Sequence, residues 1–227
     1  MGKLYIVSTP IGNMKDISLR ALETLFSVDI ILCEDTRKSG MLLEHYKDYS
    51  KDPERKPGLM SFYDGNEDRR INGIIELLKE DKNIALISNS GTPLLSDPGF
   101  KLVRECVKEK IEVMAIPGAS ALLAGLVVSG LPMDKFLFLG FLPKKQGKKR
   151  KMLEELKEKQ TTIFYESPFR IKKTLEMIKE IFPEKQIVIA REMTKKFEEI
   201  MRGTAKKLIE KLGDKKVKGE LTVLIHL

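Results

Sequence analysis

Residue types and patterns that mark several common protein classes are scarce in this sequence. Its 227 residues include two cysteines, Cys33 and Cys106, and two histidines, His45 and His226. The cysteines form no CxxC or Cys/His cluster, which argues against a disulfide scaffold and a zinc ribbon. Neither histidine has the spacing of a nucleophile's base or a metal ligand, so His-based triads and metal sites are not expected.

Long apolar runs and the familiar nucleotide-binding signatures are also missing. The N-terminal apolar run, residues 4–7, is too short for a signal-peptide core, and no stretch approaches the roughly 20 apolar residues of a membrane span. We therefore expect a cytoplasmic protein with no membrane partner. No G-x-G-x-x-G or G-x-x-x-x-G-K-[ST] occurs, which argues against a dinucleotide Rossmann site and a P-loop.

The positive charge of the chain is concentrated in its second half. The net charge is +8, yet residues 1–116 hold 17 Lys and Arg against 19 Asp and Glu, whereas residues 117–227 hold 24 against 14. Residues 144–159 alone carry +5. Such a cluster can be an ordinary solvated helix face, but the imbalance over the whole half favours a polyanionic partner, because phosphates attract clustered cations and release counterions on contact.

Short apolar runs alternate with amphipathic segments along the chain, which is typical of α/β proteins. The break at Pro117-Gly118 predicts two α/β domains, residues 1–116 with a mostly parallel sheet and residues 117–227 with a separate core. A charged turn is expected at residues 47–57. The expected strands are 4–7, 28–33, 59–62, 84–88, 113–116, 136–139, 161–165, 187–191 and 221–225, and the expected helices are 18–26, 67–79, 121–128, 149–159, 171–181 and 205–212.

Three expected strands of the first half run directly into loops rich in Gly, Pro, Ser and Thr, at residues 8–13, 88–93 and 117–120. Each loop alone could be a plain turn. Because ligands of open α/β sheets bind at the carboxyl ends of strands, three such loops in one domain predict a ligand cleft. Acidic side chains that could act as bases also follow strands, each with an alternative as a helix N-cap or an ion-pair partner of a nearby arginine; they are Glu34, Asp35, Glu166 and Glu192.

Eight motifs, in this order along the whole chain, carry a resemblance to a known family. The sequence resembles the bacterial small-subunit ribosomal RNA cytidine 2′-O-methyltransferases, which belong to the tetrapyrrole methylase superfamily. The motifs are TPIGN (9–13), CEDTR (33–37), SNSGTPLLSDPG (88–99), IPGASA (116–121), GFLP (140–143), FYESPFR (164–170), AREMTK (190–195) and RGT (202–204).

The resemblance implies two α/β domains with S-adenosylmethionine (SAM) in the cleft between them, a homodimer, and methylation of a cytidine ribose in small-subunit ribosomal RNA, free or in the assembled subunit. It implies SAM-binding roles for Pro10, Ile11, Asn89, Gly91, Thr92, Ser120, Ala121, Tyr165 and Ala190. For the proton of the ribose hydroxyl, Glu166 is the first choice, with Glu34 and Asp35 behind it. The cationic residues expected to meet RNA phosphates are Arg37, Lys144, Lys145, Lys148, Lys149, Arg150, Lys151 and Arg170. For Arg37, Arg170 and Arg191, the sequence leaves two roles open, pairing with RNA phosphates or orienting the carboxylates.

The sequence departs from the family pattern at several positions. Asn89-Ser90 stands where Asp-Ala is usual, Ala119 replaces a second Pro, and Phe169 replaces a common His; Tyr63-Asp64-Gly65 replaces a His-rich triplet. Two other functions remain open, a small-molecule tetrapyrrole methyltransferase and a ribosome-assembly factor that binds RNA without catalysis. The basic second half argues against the first of these, because tetrapyrrole substrates carry few charges.

Overall fold

A computed structural model describes residues 1–52, 56–214 and 216–227. The chain divides into two compact units, Met1–Ser120 and Ala121–Leu227, and each contains one five-stranded sheet. The expectation of two α/β domains is confirmed. No helix of the described residues is long and apolar enough to cross a bilayer.

The first unit alternates strands and helices. Its elements are β1 (Leu4–Val7), α1 (Leu19–Ser27), β2 (Ile30–Cys33), α2 (Thr36–His45), β3 (Gly58–Ser61), α3 (Glu67–Lys79), β4 (Ile84–Leu86), α4 (Phe100–Lys108) and β5 (Val113–Ile116). Two short 3₁₀ helices lie at Met14–Asp16 and Lys47–Tyr49. The second of them falls in the expected charged turn, part of which, residues 53–55, lies outside the described residues.

All strand pairs of the first sheet are parallel, in the order β3-β2-β4-β1-β5. Successive side chains of β1 alternate between two buried clusters, since Leu4 joins the cluster under α3 and α4 while Val7 joins the one under α1. Such burial of both faces is usual for parallel sheets. Because the strands are parallel, all the loops that follow them begin at one edge of the sheet, and the candidate site lies at that edge.

The second unit has a mixed sheet in the order β6-β7-β10-β8-β9, in which only β6 and β7 are parallel. Helices α6, α7 and α8 pack on one face, and α5 contacts β10 and β7. The elements are α5 (Ala121–Val127), β6 (Phe136–Phe141), α6 (Gln146–Glu154), β7 (Thr161–Glu166), α7 (Ile171–Ile181), β8 (Ile187–Arg191), β9 (Glu199–Gly203), α8 (Ala205–Leu212) and β10 (Leu221–His226).

Two elements of the second unit differ from the sequence prediction. Strand β9 was not predicted, because it is an edge strand with little apolar alternation. Helix α6 begins at Gln146 and ends at Glu154, whereas residues 149–159 were expected. Its lysine-rich sequence has no apolar period that marks its ends, and only Lys149 and Leu153, one turn apart, are buried.

Candidate functional site

The three strand-end loops of the first unit are bonded to one another. Thr9 N donates to Gly91 O at 2.9 Å and Gly91 N donates back to Thr9 O at 3.1 Å, which joins the β1 loop to the β4 loop. The Thr92 hydroxyl lies 3.0 Å from Ser8 Oγ and donates to Ala119 O at 3.0 Å, which adds the β5 loop. The structure therefore brings together the three loops that the sequence singles out.

Glycines let these loops approach closely. Gly91 has φ +84°, and a Cβ there would lie 3.1 Å from Ile11 Cγ2; a Cβ on Gly118 would lie 2.9 Å from Ser8 Cβ. Both sites are thus closed to larger residues. Beside them, the buried Ser120 Oγ has no hydrogen-bond partner within the described part of the chain. A buried polar atom without a partner is the kind of group that a bound ligand satisfies.

The expected SAM-binding residues of the first unit lie in or beside this loop cluster, formed by residues 8–11, 88–92 and 117–120. Pro10 and Ile11 are buried, and Asn89 is exposed. Asn89 Nδ2 donates to Glu34 Oε2 at 3.3 Å, so a fourth strand-end loop, after β2, joins the cluster.

An acidic residue that the sequence analysis did not single out lies at the same edge. Asp97 has a pKa raised to about 6, first because it is partly buried and then because Glu34 and Asp64 place further negative charge near it. Its loop contains two residues other than glycine with positive φ, Leu94 at +70° and Ser96 at +73°. Such strained backbone is concentrated at functional sites. The sequence signal was present, since Asp97 lies within the SNSGTPLLSDPG motif.

Asp35, expected among the possible bases, is a helix cap. Its Oδ1 accepts hydrogen bonds from Arg37 N at 3.0 Å and Lys38 N at 3.4 Å at the start of α2. Asp35 therefore has the alternative role expected from the sequence, that of a helix N-cap. The Arg37 side chain, 93% exposed, lies 3.8 Å from the same carboxylate and remains accessible to a phosphate.

The geometry around Glu166 argues against the expected role of this residue as the base. Its carboxylate is buried and accepts three hydrogen bonds, at Oε1 from Ser167 N at 2.8 Å and at Oε2 from Lys149 Nζ at 3.0 Å and Thr174 Oγ1 at 2.6 Å. Oε1 also forms an ion pair with Arg170 at 2.6 Å. A base needs a free lone pair within reach of the substrate proton, and this one has its acceptor sites filled. Glu166 instead ties β7 to α6 and α7.

The same network argues against one of the expected RNA contacts, that of Lys149. Lys149 is buried, with only 1% of its side chain exposed, and its ammonium is held by Glu166 and Thr174. It therefore cannot meet a phosphate. Of the other expected cations near it, Lys144, Lys145, Lys148 and Lys151 are exposed, and Arg150 pairs with Glu180.

The expected SAM-binding residues of the second unit share one face of its sheet. Tyr165 on β7 and Ala190 on β8 both pair in register with Thr222 on β10. Thr222 and Ala190 face α5, since a Cβ on Gly125 of that helix would lie 3.1 Å from Thr222 Cγ2 and 3.6 Å from Ala190 Cβ. Ala121 is the first residue of α5. The structure thus places all three at one helix and the strand row beneath it.

Among the described residues, no group of three or more His, Cys, Asp or Glu could hold a metal ion. The polar groups at the edge of the first sheet are hydroxyls, a carboxamide, carboxylates and backbone amides. These can hold an organic ligand through hydrogen bonds, and Asp97 can exchange a proton near neutral pH.

Comparison with known proteins decides the family. The family model of the Tetrapyrrole (Corrin/Porphyrin) Methylases matches residues 3–209. The chain belongs to this family. It is 47% identical to the Ribosomal RNA small subunit methyltransferase I of Thermotoga maritima, over 99% of this chain and 98% of that protein. It is 47% identical to the Haemophilus influenzae protein of the same name, over 99% of this chain and 78% of that protein. The resemblance stated from the motifs is confirmed.

Solved structures of the family have the same fold. Uroporphyrin-III-C-methyltransferase from Thermus thermophilus superimposes with a TM-score of 0.68 at 18% identity, over 100% of this chain and 94% of that one. A Thermus thermophilus uroporphyrin-III C-methyltransferase complexed with S-adenyl homocysteine gives 0.62 at 15% identity, over 98% and 97%. At these low identities the likeness to the solved structures shows the fold alone.

Proposed function

We propose that this protein transfers a methyl group from SAM to the 2′-hydroxyl of a cytidine in small-subunit ribosomal RNA. The observation that carries the proposal is the 47% identity, over nearly the full length of both chains, to a relative named for ribosomal RNA methylation. The concentration of positive charge in residues 117–227 agrees with an RNA substrate rather than a porphyrinoid, because RNA carries one negative charge per phosphate.

The residues of the loop cluster fit SAM. The cluster offers the Ser120 hydroxyl, which has no hydrogen-bond partner among the described residues, the Asn89 carboxamide and the backbone that Gly91 leaves accessible. Pro10, Ile11 and Thr92 complete the expected set in the first unit, and Ala121, Tyr165 and Ala190 form the expected set in the second. When bound, SAM supplies an electrophilic methyl group on a sulfonium centre.

Asp97 is the base that we propose in place of Glu166, with Glu34 behind it. The Asp97 carboxylate would accept the proton that the ribose 2′-hydroxyl loses when bound SAM supplies the methyl group to its oxygen. A base is most effective when its pKa lies near the working pH, and the pKa of Asp97 is raised to about 6. Partial burial of Asp97 is the main cause of the raised pKa, and the negative charges of Glu34 and Asp64 add to it.

Methyl transfer from labelled SAM tests the function. Purified small ribosomal subunits, naked small-subunit RNA and uroporphyrinogen would each be incubated with the protein. Label in RNA or subunits is expected. Label in uroporphyrinogen alone would indicate a tetrapyrrole methyltransferase, and binding to subunits without transfer would indicate an assembly factor. Each of the last two results would overturn the proposal.

We also propose that two copies of the chain pair in the cytoplasm through the outer side of β6. Within the described residues this strand has a hydrogen-bonded neighbour on one side only, β7, and it exposes Phe136 and Leu137. An exposed apolar edge strand favours self-association. Light scattering should give a dimer mass that falls to the monomer mass in Phe136→Asp, and a monomeric wild type would contradict the pairing.

A further inference from the structure

Two exposed phenylalanines lie at one edge of the second sheet. Phe169 follows β7 by three residues and Phe197 follows β8 by six, and their exposed fractions are 76% and 64%. Strands β7 and β8 are both antiparallel to β10, which lies between them, so their carboxyl ends share an edge. Neither ring contributes to the core, and both rings are accessible to a partner.

A lysine lies over each of these rings. Lys216 Nζ is 5.5 Å from the Phe169 ring centroid, and Lys196 Nζ is 5.7 Å from that of Phe197. Lys216 lies in the segment that leads into β10, which begins at this same edge. The edge therefore presents two aromatic faces, each beside a positive charge. Surfaces on which aromatic rings alternate with cations bind single-stranded nucleic acid, because the rings stack on bases and the cations contact phosphates.

The loop that carries Phe197 is held in place by its own contacts. Lys195 Nζ pairs with Glu192 at 3.0 Å and with Glu220 at 2.9 Å, which joins this loop to the start of β10. Thr194, a β-branched residue at φ +66°, adopts a backbone conformation that such residues rarely take. Strain of this kind persists where the surroundings fix it and function requires it.

The loop that carries Phe169 is held as well. Phe169 N donates to Ser167 Oγ at 3.3 Å, and Arg170, the next residue, donates to Leu142 O at 3.2 Å while it pairs with the buried Glu166. Both rings are thus displayed on fixed loops, so little loop entropy is lost when a partner binds.

We propose that Phe169 and Phe197 stack on unpaired bases of the RNA substrate, with Lys216 and Lys196 on the adjoining phosphates. The inference rests on the proposed function, because it takes RNA as the substrate. The proposed binding surface lies at the edge of the second sheet where β7 and β8 end. Lys144 and Lys145 lie at the same edge, because they follow β6, which is parallel to β7. A second copy of the chain would bring the same cations against this edge, so charge disfavours it as the occupant.

Leucine variants separate stacking from hydrophobicity. Binding of fluorescent single-stranded RNA and of small ribosomal subunits would be measured for Phe169→Leu, Phe197→Leu and Phe169→Trp. Loss of one stacked base should weaken RNA binding by roughly 5- to 100-fold in each leucine variant, whereas the tryptophan variant should bind at least as well as the wild type. Lys216→Gln should lower the slope of log affinity against log salt by about 0.7.

Phe100→Leu is the matched control. Phe100 is 66% exposed and has Arg104 at 5.8 Å from its ring, but it lies on α4 of the first unit. The RNA affinity of the Phe100→Leu variant should equal that of the wild type, and all variants should unfold at the wild-type temperature.

Three results would overturn the stacking surface: leucine variants that bind RNA as the wild type does, an equal loss in Phe100→Leu, or a changed oligomer mass in place of changed RNA affinity. A wild-type protein that binds neither RNA nor subunits would instead contradict the proposed function. The two failures are therefore distinguishable.

Discussion

At the scale of single residues, the structure separates acids that hold the fold from the acid that can exchange a proton. Asp35 caps a helix, and Glu166 is surrounded by three hydrogen-bond donors and the cationic Arg170. Asp97 has no such hydrogen-bond donors among the described residues, and its pKa is raised to about 6. The sequence could place all three after strands, but it could not tell them apart, because the neighbours that decide their roles are distant along the chain.

Asp97→Asn should slow methyl transfer by on the order of 10²-fold at saturating SAM and RNA, because it removes the base but keeps the shape. The wild-type rate should rise with pH through about 6 and then level off. Asp64→Asn is the control: it removes one of the charges that raise the pKa of Asp97, so the midpoint should move to lower pH while the plateau rate stays. An Asp97→Asn rate equal to the wild type would remove Asp97 from the mechanism.

Asp97→Asn should have the opposite effect on stability, which it should raise. The folded pKa of Asp97 lies above its ordinary value of 3.8, so the folded state binds more protons and stability falls as pH rises from about 4 to about 6. Above that window Asp97→Asn should be more stable than the wild type by about 1 kcal/mol, a value reduced for partial solvent exposure. Urea unfolding at pH 8 and pH 4 measures it, and the difference should vanish at the lower pH.

Lys149→Met tests the structural role of the buried pair. It leaves the Glu166 carboxylate without its ammonium partner in the core, which should cost about 3 to 5 kcal/mol of unfolding free energy. The molecules that remain folded should still transfer methyl groups at the wild-type rate. A small loss of stability with a hundredfold loss of rate would instead place this pair in catalysis.

At the scale of elements, the loops and helices show what sequence patterns can and cannot predict. Strand-end loops rich in Gly, Pro, Ser and Thr were predictable, because parallel strands bring their carboxyl ends together. The lysines of α6 were not separable by sequence. Lys149 lies one helical turn before the buried Leu153, and its ammonium is held by Glu166 and Thr174, which are distant along the chain.

Gly91→Val tests the loop cluster. A β-branched residue at φ +84° is strained, and its Cβ would lie 3.1 Å from Ile11 Cγ2, so the β4 loop must move. SAM binding, measured by calorimetry, should be lost while unfolding stays cooperative. Gly73→Ala, where a Cβ meets nothing within 4 Å in α3, should keep SAM affinity and gain about 0.5 to 1 kcal/mol of stability. SAM binding unchanged in Gly91→Val would place the pocket elsewhere.

The exposed lysines at the start of α6 make a separate prediction about RNA. Changing Lys144, Lys145, Lys148 and Lys151 to Gln should weaken binding to small subunits and lower the log–log salt slope by roughly 0.7 to 0.9 per lost phosphate contact, with SAM affinity unchanged. The matched control changes four exposed lysines of the first unit, Lys15, Lys51, Lys56 and Lys82. Equal slopes in both variants would make α6 an ordinary solvated face.

At the scale of the whole molecule, the charge asymmetry of the sequence follows the division of the chain into two units. The first unit, nearly neutral, holds the glycine-rich loops and Asp97; the second, strongly basic, holds the lysines and the exposed rings. Composition and motif order were enough to predict two α/β domains and the family. The exposed rings of Phe169 and Phe197 were beyond prediction, since exposure depends on the tertiary fold.

The identity of the methylated atom is the decisive test of 2′-O-methylation of cytidine by this protein. Small subunits from a strain that lacks the relevant methylation would be treated with the protein and SAM carrying a deuterated methyl group, and their RNA digested to nucleosides for mass spectrometry. We expect the heavy methyl group in 2′-O-methylcytidine, with no such product from Asp97→Asn at early times. A heavy methyl group on a base, or none in the RNA while SAM binds normally, would contradict the proposed 2′-O-methylation.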